Sequence, residues 1–276
     1  MNAETKYEKL KKLLESYKSA AVAFSGGVDS TFLLYAAREA LKDQVLAVTV
    51  HMAAVPERER QEAAAFCQKE QIRQLICSVD AMRIPGFAEN PPDRCYYCKT
   101  EIFRNICRIA RENHMQVVAE GSNVDDMKDF RPGMRAITEL GIQSPLKQAG
   151  LTKEDIRILS KKMGLPTWEK PSFACLASRF PYGEPITNEG LARVEAAEVF
   201  LMERGFSQLR VRAHGKLARI ELLPEDMDRM LEPGLRTETE NYFRQIGFSY
   251  VALDLRGYRT GSMNETLDRS NAGCLK

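Results

Sequence analysis

The chain has 276 residues, 40 basic against 38 acidic side chains, a net charge of +2, and seven cysteines. That length suggests about two domains at roughly 150 residues each, and 44% hydrophobic with 28% charged residues excludes collagen, coiled coil and wholesale disorder. So balanced a charge argues against a strongly basic nucleic-acid binder, and an odd cysteine count cannot close into a complete intrachain disulfide set.

The first ten residues, Met1 to Leu10, show no apolar leader, and no apolar run nears the ~20 residues a membrane-spanning helix needs. A cytoplasmic protein with reduced cysteines is expected. Tyr7, Leu10, Leu13, Leu14 and Tyr17 recur at helical spacing over residues 6–18. Ala20 to Phe24 is β-like, Ser30 to Leu41 helical, Val45 to Val50 a second strand, and Glu57 to Gln71 helical. Leu75 to Val79 reads as a third strand, Lys99 to Asn113 as a helix, and Gln116 to Ala119 as the start of a fourth strand. This alternation predicts an α/β domain with a parallel sheet covered on both faces.

Between these elements, Pro85, Gly86, Pro91 and Pro92 mark residues 84–93 as a loop. Thr152 opens a capping box with Asp155, and its helix should end near Gly164. Pro166, Pro171, Pro181, Gly183 and Pro185 make 166–185 a linker or active-site loop. From Thr187 the order changes to a helix reaching Arg204, strands 208–213 and 217–222, a helix over 233–246 and a strand over 250–255. This is the pattern of a smaller α+β domain, which puts the expected domains at 1–183 and 184–276.

The strongest local signal is Phe24-Ser25-Gly26-Gly27-Val28-Asp29-Ser30-Thr31, placed between a strand and a helix. Gly26 and Gly27 lack Cβ, so backbone amides can close around a phosphate, and the helix N-terminus adds orphan N–H groups and a positive dipole end. Ser25, Ser30 and Thr31 supply hydroxyls, and Asp29 is placed to hold Mg²⁺ or to orient the loop. Neither a Walker A ending nor a Gly-x-Gly-x-x-Gly fingerprint is present. The SGGxDS pattern in this context resembles the loop of PP-loop ATP pyrophosphatases, which implies ATP bound through its pyrophosphate.

Cys95-Tyr96-Tyr97-Cys98 follows the proline-rich loop, and Cys175 lies in Pro171-Ser172-Phe173-Ala174-Cys175. Three thiolates suit three irons of a 4Fe-4S cluster with the fourth left open, zinc with one further ligand, or, for the pair alone, a redox dithiol. Cys67, Cys77 and Cys107 fall in regular elements and read as core residues. Cys274 falls in the C-terminal tail.

Further segments carry a resemblance that spans about residues 5–268. They are Glu120-Gly121-Ser122-Asn123-Val124-Asp125-Asp126 with Arg131-Pro132-Gly133, Ser178 to Gly183, Arg210 to His214, Ala218 to Leu222, and Leu253 to Arg259 with Gly261, Met263 and Asn264. Together with SGGVDS they make the chain similar to the LarE-type ATP-dependent sulfur transferases of nickel-pincer cofactor synthesis.

The resemblance implies that ATP, with Mg²⁺, adenylates a carboxylate of a small pyridinium mononucleotide, releasing pyrophosphate. A sulfur nucleophile then displaces AMP. It implies ATP contacts from Ser25, Gly26, Gly27, Asp29, Ser30, Gly121, Asp125 and Arg131, and substrate contacts from Arg179, Arg210, Arg212 and Arg259. It further implies a divalent-metal cluster of Glu198, Glu221 and Asp228, a sulfide or other sulfur donor, and a homo-oligomer. Cys95 and Cys98 resemble the branch in which they and Cys175 hold a 4Fe-4S cluster, whereas relatives with the single cysteine sacrifice its sulfur. The competing readings are a tRNA-thiolating PP-loop enzyme, an amidotransferase or synthetase of the NAD synthase type, and a nucleotide-binding sensor without turnover.

Overall fold

Short apolar strands alternating with helices must bury both faces of the sheet they form, and the chain does so in its first unit. The structure, a computed structural model, describes residues 2–128, 132–171, 174–259 and 261–263. Its contacts separate two compact units, one of residues 1–80 and 95–173, the other of 81–94 and 174–276. Residues 81–94, which include the loop 84–93, and residues 174–183 group with the second unit.

The first unit runs α1 (Ala3–Ser16), β1 (Ala20–Ala23), α2 (Val28–Leu41), β2 (Val45–His51), α3 (Glu57–Lys69), β3 (Gln74–Ser78), α4 (Arg94–Glu112), β4 (Val117–Ala119), α5 (Gly133–Glu139), α6 (Pro145–Ala149) and α7 (Lys153–Lys162). Its sheet has the order β3-β2-β1-β4, and every pairing is parallel. One face packs Val22, Phe32, Leu33 and Leu34 with Leu10 and Leu14 of α1 and Ile156 and Leu159 of α7. The other packs Ala21, Leu46 and Val48 against Phe103, Ile106 and Ile109 of α4. Each fully buried aromatic or aliphatic side chain here contributes about 1.5–3 kcal/mol.

Because β2 and β3 extend the sheet to one side of β1 while β4 pairs on its other side, the chain changes direction at β1/β4. Open α/β sheets bind ligands at the carboxyl ends of strands flanking such a switch. Those ends lead into Ser25 and Glu120.

Thr152 caps α7 through the expected box with Asp155. Helix α4 begins at Arg94, five residues before the expected Lys99, so both Cys95 and Cys98 lie in its opening turns. Helices α5 and α6 fall in stretches where no element was expected.

The second unit runs α8 (Asn188–Glu203), β5 (Leu209–His214), β6 (Leu217–Leu222), α9 (Met227–Met230), α10 (Pro233–Gln245) and β7 (Tyr250–Leu253). β5 and β6 are antiparallel and β7 joins β6 in parallel. Side chains alternate along the β5–β6 hairpin. Leu209, Val211 and Ala213 pair with Leu222, Ile220 and Ala218 on one face, while Arg210 and Arg212 pair with Glu221 and Arg219 on the other. Phe200 of α8 stacks on Tyr242 of α10 with centroids 4.3 Å apart. Among the described residues no helix is long and apolar enough to cross a membrane.

Candidate functional site

The phosphate loop is assembled in the first unit by hydroxyl and backbone groups. Ser25 Oγ and Ser30 Oγ lie 3.0 Å apart, and Ser30 Oγ donates to the Gly27 carbonyl at 3.1 Å, which folds the loop over the start of α2. Gly26 has φ +74°, and a Cβ there would meet the Glu59 carbonyl at 3.2 Å, so only glycine fits the turn and its packing on α3. Gly121 approaches from β4; a Cβ on it would lie 3.1 Å from the Ser30 nitrogen.

Two cations that sequence reasoning missed hold this loop. Lys153, the first residue of α7, reaches Asp29 Oδ2 at 2.5 Å. The other carboxylate oxygen, Oδ1, is buried without a hydrogen-bond partner, an oxygen donor of the kind a hard cation takes. Asp125 orients α7 by accepting the Lys153 backbone N–H at 2.9 Å. Lys170 donates to the Gly26 carbonyl and to Glu59 and Glu62. The structure thus brings Ser25, Gly26, Gly27, Asp29, Ser30 and Gly121 to the start of α2 and Asp125 to the start of α7, while Arg131 lies outside the described residues. Beside them Glu120 is buried and accepts from Ser122 Oγ at 2.8 Å and Ser144 Oγ at 2.5 Å.

Cys95 and Cys98, three residues apart in α4, share one helix face and are half-buried. In the second unit Cys175 is exposed at the start of a 3₁₀ turn over Leu176–Arg179. Among the described residues no group of three or more His, Cys, Asp or Glu side chains is gathered to hold a metal ion. Burial pushes the Cys67 thiol up to about 12 and raises Cys77 and Cys107 as well. Cys67 and Cys77 are core residues, and Cys107 is only half-buried. With any metal first removed by a chelator, iodoacetamide at mildly alkaline pH is expected to label Cys175 at least about tenfold faster than Cys67. Peptide mass spectrometry over time reads the two rates.

The Cys175 turn rests on Arg179, which is 0% exposed. Its Nε and Nη2 donate to Glu198 at 2.8 and 2.7 Å, and its Nη1 donates to the carbonyls of Ala174 and Cys175 at 2.6 and 3.1 Å and to Ser178 Oγ at 3.0 Å. Burial opposes this charge, but Glu198 outweighs it and the pKa of Arg179 is raised. Arg179, expected to meet substrate, is therefore engaged in shaping the loop. Glu198 also accepts the Val211 N–H at 3.0 Å.

On the polar sheet face Arg212 donates to Ser178 O, Glu221 and Ser262 Oγ at 2.8–2.9 Å, while its Nε is buried without a partner. Arg210 is buried beside Tyr258, 5.1 Å from that ring's centroid, and burial followed by repulsion from Arg179 lowers its pKa. Arg259 donates to Gly257 O and Asp254. Glu221 is shared by Arg212, Arg219 and Ser262. Two members of the expected divalent-metal cluster, Glu198 and Glu221, are thus ion-paired to arginines, and Asp228 is exposed on α9. Asn90 and Arg94 add an anchor that sequence reasoning missed. Asn90 Nδ2 donates to Pro181 O at 2.6 Å and Glu184 O at 3.1 Å, and Arg94 donates to Asn90 and to Ala177 O.

A glycine loop at the switch point of a parallel sheet, with hydroxyls and a carboxylate at a helix N-terminus, defines a PP-loop protein, and the family model described as a PP-loop domain matches residues 1–128. The chain is 38% identical over 96% of its length to an uncharacterized protein of Synechocystis, covering 99% of that protein. It is 35% identical to the pyridinium-3,5-bisthiocarboxylic acid mononucleotide synthase of Lactiplantibacillus plantarum, over 96% of each chain. An uncharacterized protein of Methanocaldococcus jannaschii is 29% identical over 88% of this chain and 92% of its own. The chain belongs to the LarE-type synthase family and is an ATP-dependent enzyme.

Proposed function

We propose that the protein is a sulfur transferase that converts a carboxylate of pyridinium-3,5-biscarboxylic acid mononucleotide to a thiocarboxylate for nickel-pincer cofactor synthesis. The observation that carries this reading is the 35% identity to the Lactiplantibacillus plantarum synthase over 96% of both chains. A substrate carboxylate oxygen attacks the α-phosphorus of ATP, pyrophosphate leaves, and an acyl-adenylate remains. A sulfur nucleophile then forms the C–S bond as the C–O bond to AMP breaks, AMP being a far better leaving group than oxide. Ser25, Ser30 and the amides of Gly26 and Gly27 grip the pyrophosphate, and Asp29 Oδ1 would hold Mg²⁺. Arg210, Arg212 and Arg259 supply cationic donors for the substrate phosphate.

The sulfur comes through the cysteines. The sequence carries the three cysteines, Cys95, Cys98 and Cys175, that a three-cysteine cluster needs. They would hold a 4Fe-4S cluster, which supplies a fourth iron open to carry an extra sulfide. The other reading takes sulfur from Cys175 itself. Its thiolate forms a thioester with release of AMP, and loss of its Cα proton then breaks the Cβ–S bond to give thiocarboxylate and dehydroalanine.

Anaerobically purified protein is expected to contain about four irons per chain and to release pyrophosphate only when ATP meets the pyridinium biscarboxylate mononucleotide. Pyrophosphate release triggered by tRNA instead would overturn the substrate assignment. An iron-free protein after anaerobic reconstitution would leave the sacrificial route.

A further inference from the structure

We propose that Lys170 is a positioning residue of the phosphate loop, fixing the Gly26 carbonyl so that the Gly27 N–H faces the pyrophosphate of ATP. Lys170 Nζ lies 3.1 Å from Gly26 O, 2.7 Å from Glu59 Oε2 and 2.5 Å from Glu62 Oε2. An ammonium has three donors, and these partners engage all of them. A peptide unit is planar and trans, so a carbonyl held toward Lys170 turns the following N–H the opposite way. That N–H belongs to Gly27, at the start of α2. Gly26 and Gly27 have no side chains to restrain the peptide between them, and the Lys170 ammonium supplies a donor from outside the loop.

The surroundings of Lys170 are built for a fixed position. Its side chain is 10% exposed. Arg157 of α7 donates to the carbonyls of Trp168 and Lys170 itself at 2.6 and 2.8 Å, so the strap carrying Lys170 is tied to a helix. That same helix sends Lys153 to Asp29. Helix α7 therefore controls the loop at two points, the Asp29 carboxylate through Lys153 and the Gly26 carbonyl through Lys170. A lysine serving only to neutralise Glu59 and Glu62 would have no need of the Gly26 carbonyl.

The test measures calorimetric affinity for two probes, α,β-methylene ATP and AMP, which lacks the pyrophosphate. In K170M the analogue is expected to bind about ten- to a hundredfold more weakly, the range of one charge-assisted hydrogen bond, with AMP within about twofold of wild type. K170M leaves Glu59 buried without its cation, so K170M/E59Q, measured alongside, removes that charge while still lacking the donor to Gly26. The selective loss of analogue affinity is expected to persist in the double variant. Equal losses for both nucleotides, no loss for the analogue, or full recovery in K170M/E59Q would each overturn the proposal. The inference rests on the ATP loop and not on the sulfur chemistry. Wild-type protein that bound neither nucleotide would sink the loop reading itself.

Discussion

Cys175→Ala is expected to lower thiocarboxylate formation by on the order of a thousandfold or more, while substrate-dependent pyrophosphate release in a single turnover stays within about twofold. The two half-reactions draw on different residues. Adenylation needs the grip of Ser25, Gly26, Gly27 and Ser30 around pyrophosphate, and these residues belong to the first compact unit while Cys175 belongs to the second. Sulfur transfer needs the exposed Cys175, whether it ligates a cluster or gives up its own sulfur. The acyl-adenylate should therefore form and then hydrolyse, so ATP is consumed without product. Quenched-flow pyrophosphate release alongside chromatography of the thiocarboxylate separates the two steps. Cys95→Ala and Cys98→Ala then discriminate between routes. Loss of iron and of transfer in both supports the cluster, whereas retained transfer with a loss of H₂S from intact Cys175-containing protein marks the sacrificial route. Unchanged thiocarboxylate formation in Cys175→Ala would remove the thiol from either mechanism.

The legible parts of this molecule are those whose chemistry is local in the chain. Ala20 to Ala23 and Val45 to His51 announce buried strands because a doubly covered parallel sheet needs continuous apolar runs. The glycine loop is legible because its anion site is made of backbone, and Gly26 and Gly27 are its signature. Helix α6 also carries a local signal, Pro145 at its start and Gly150 in the left-handed region at φ 81° past its end. Helix α4 starts ahead of the expected Lys99 because, although the aromatic and cysteine residues 95–98 are mediocre helix formers, tertiary packing of Phe103 and Ile106 overrides that preference.

The polar core was not legible. Glu198, which only the family resemblance singled out, is the ion-pair partner of Arg179, and a buried ion pair leaves no periodicity in the sequence. Lys153 and Lys170 likewise gave no pattern, since each acts across more than a hundred residues on the loop it holds.

Arg179→Met should cost about 3–5 kcal/mol and lower the melting temperature by about 10–20 °C, because it leaves the Glu198 carboxylate buried and unpaired. That carboxylate is 3% exposed and takes two of the guanidinium's bonds. In Arg179→Met/Glu198→Met both charges go, and most of the lost stability is expected to return, as apolar replacements of buried ion pairs are often neutral. Activity should not return with it. The guanidinium also gathers Ala174 O, Cys175 O and Ser178 Oγ, and no methionine can bind those acceptors. The double variant is thus expected to melt near wild type and to adenylate substrate, yet transfer sulfur at least about tenfold more slowly. Arg179→Lys should fail as well, because an ammonium cannot span a bidentate carboxylate and three loop acceptors in one plane. Calorimetric melting and single-turnover sulfur transfer read the two effects. If stability and transfer recover together in the double variant, Arg179 holds the unit together without shaping the cysteine loop.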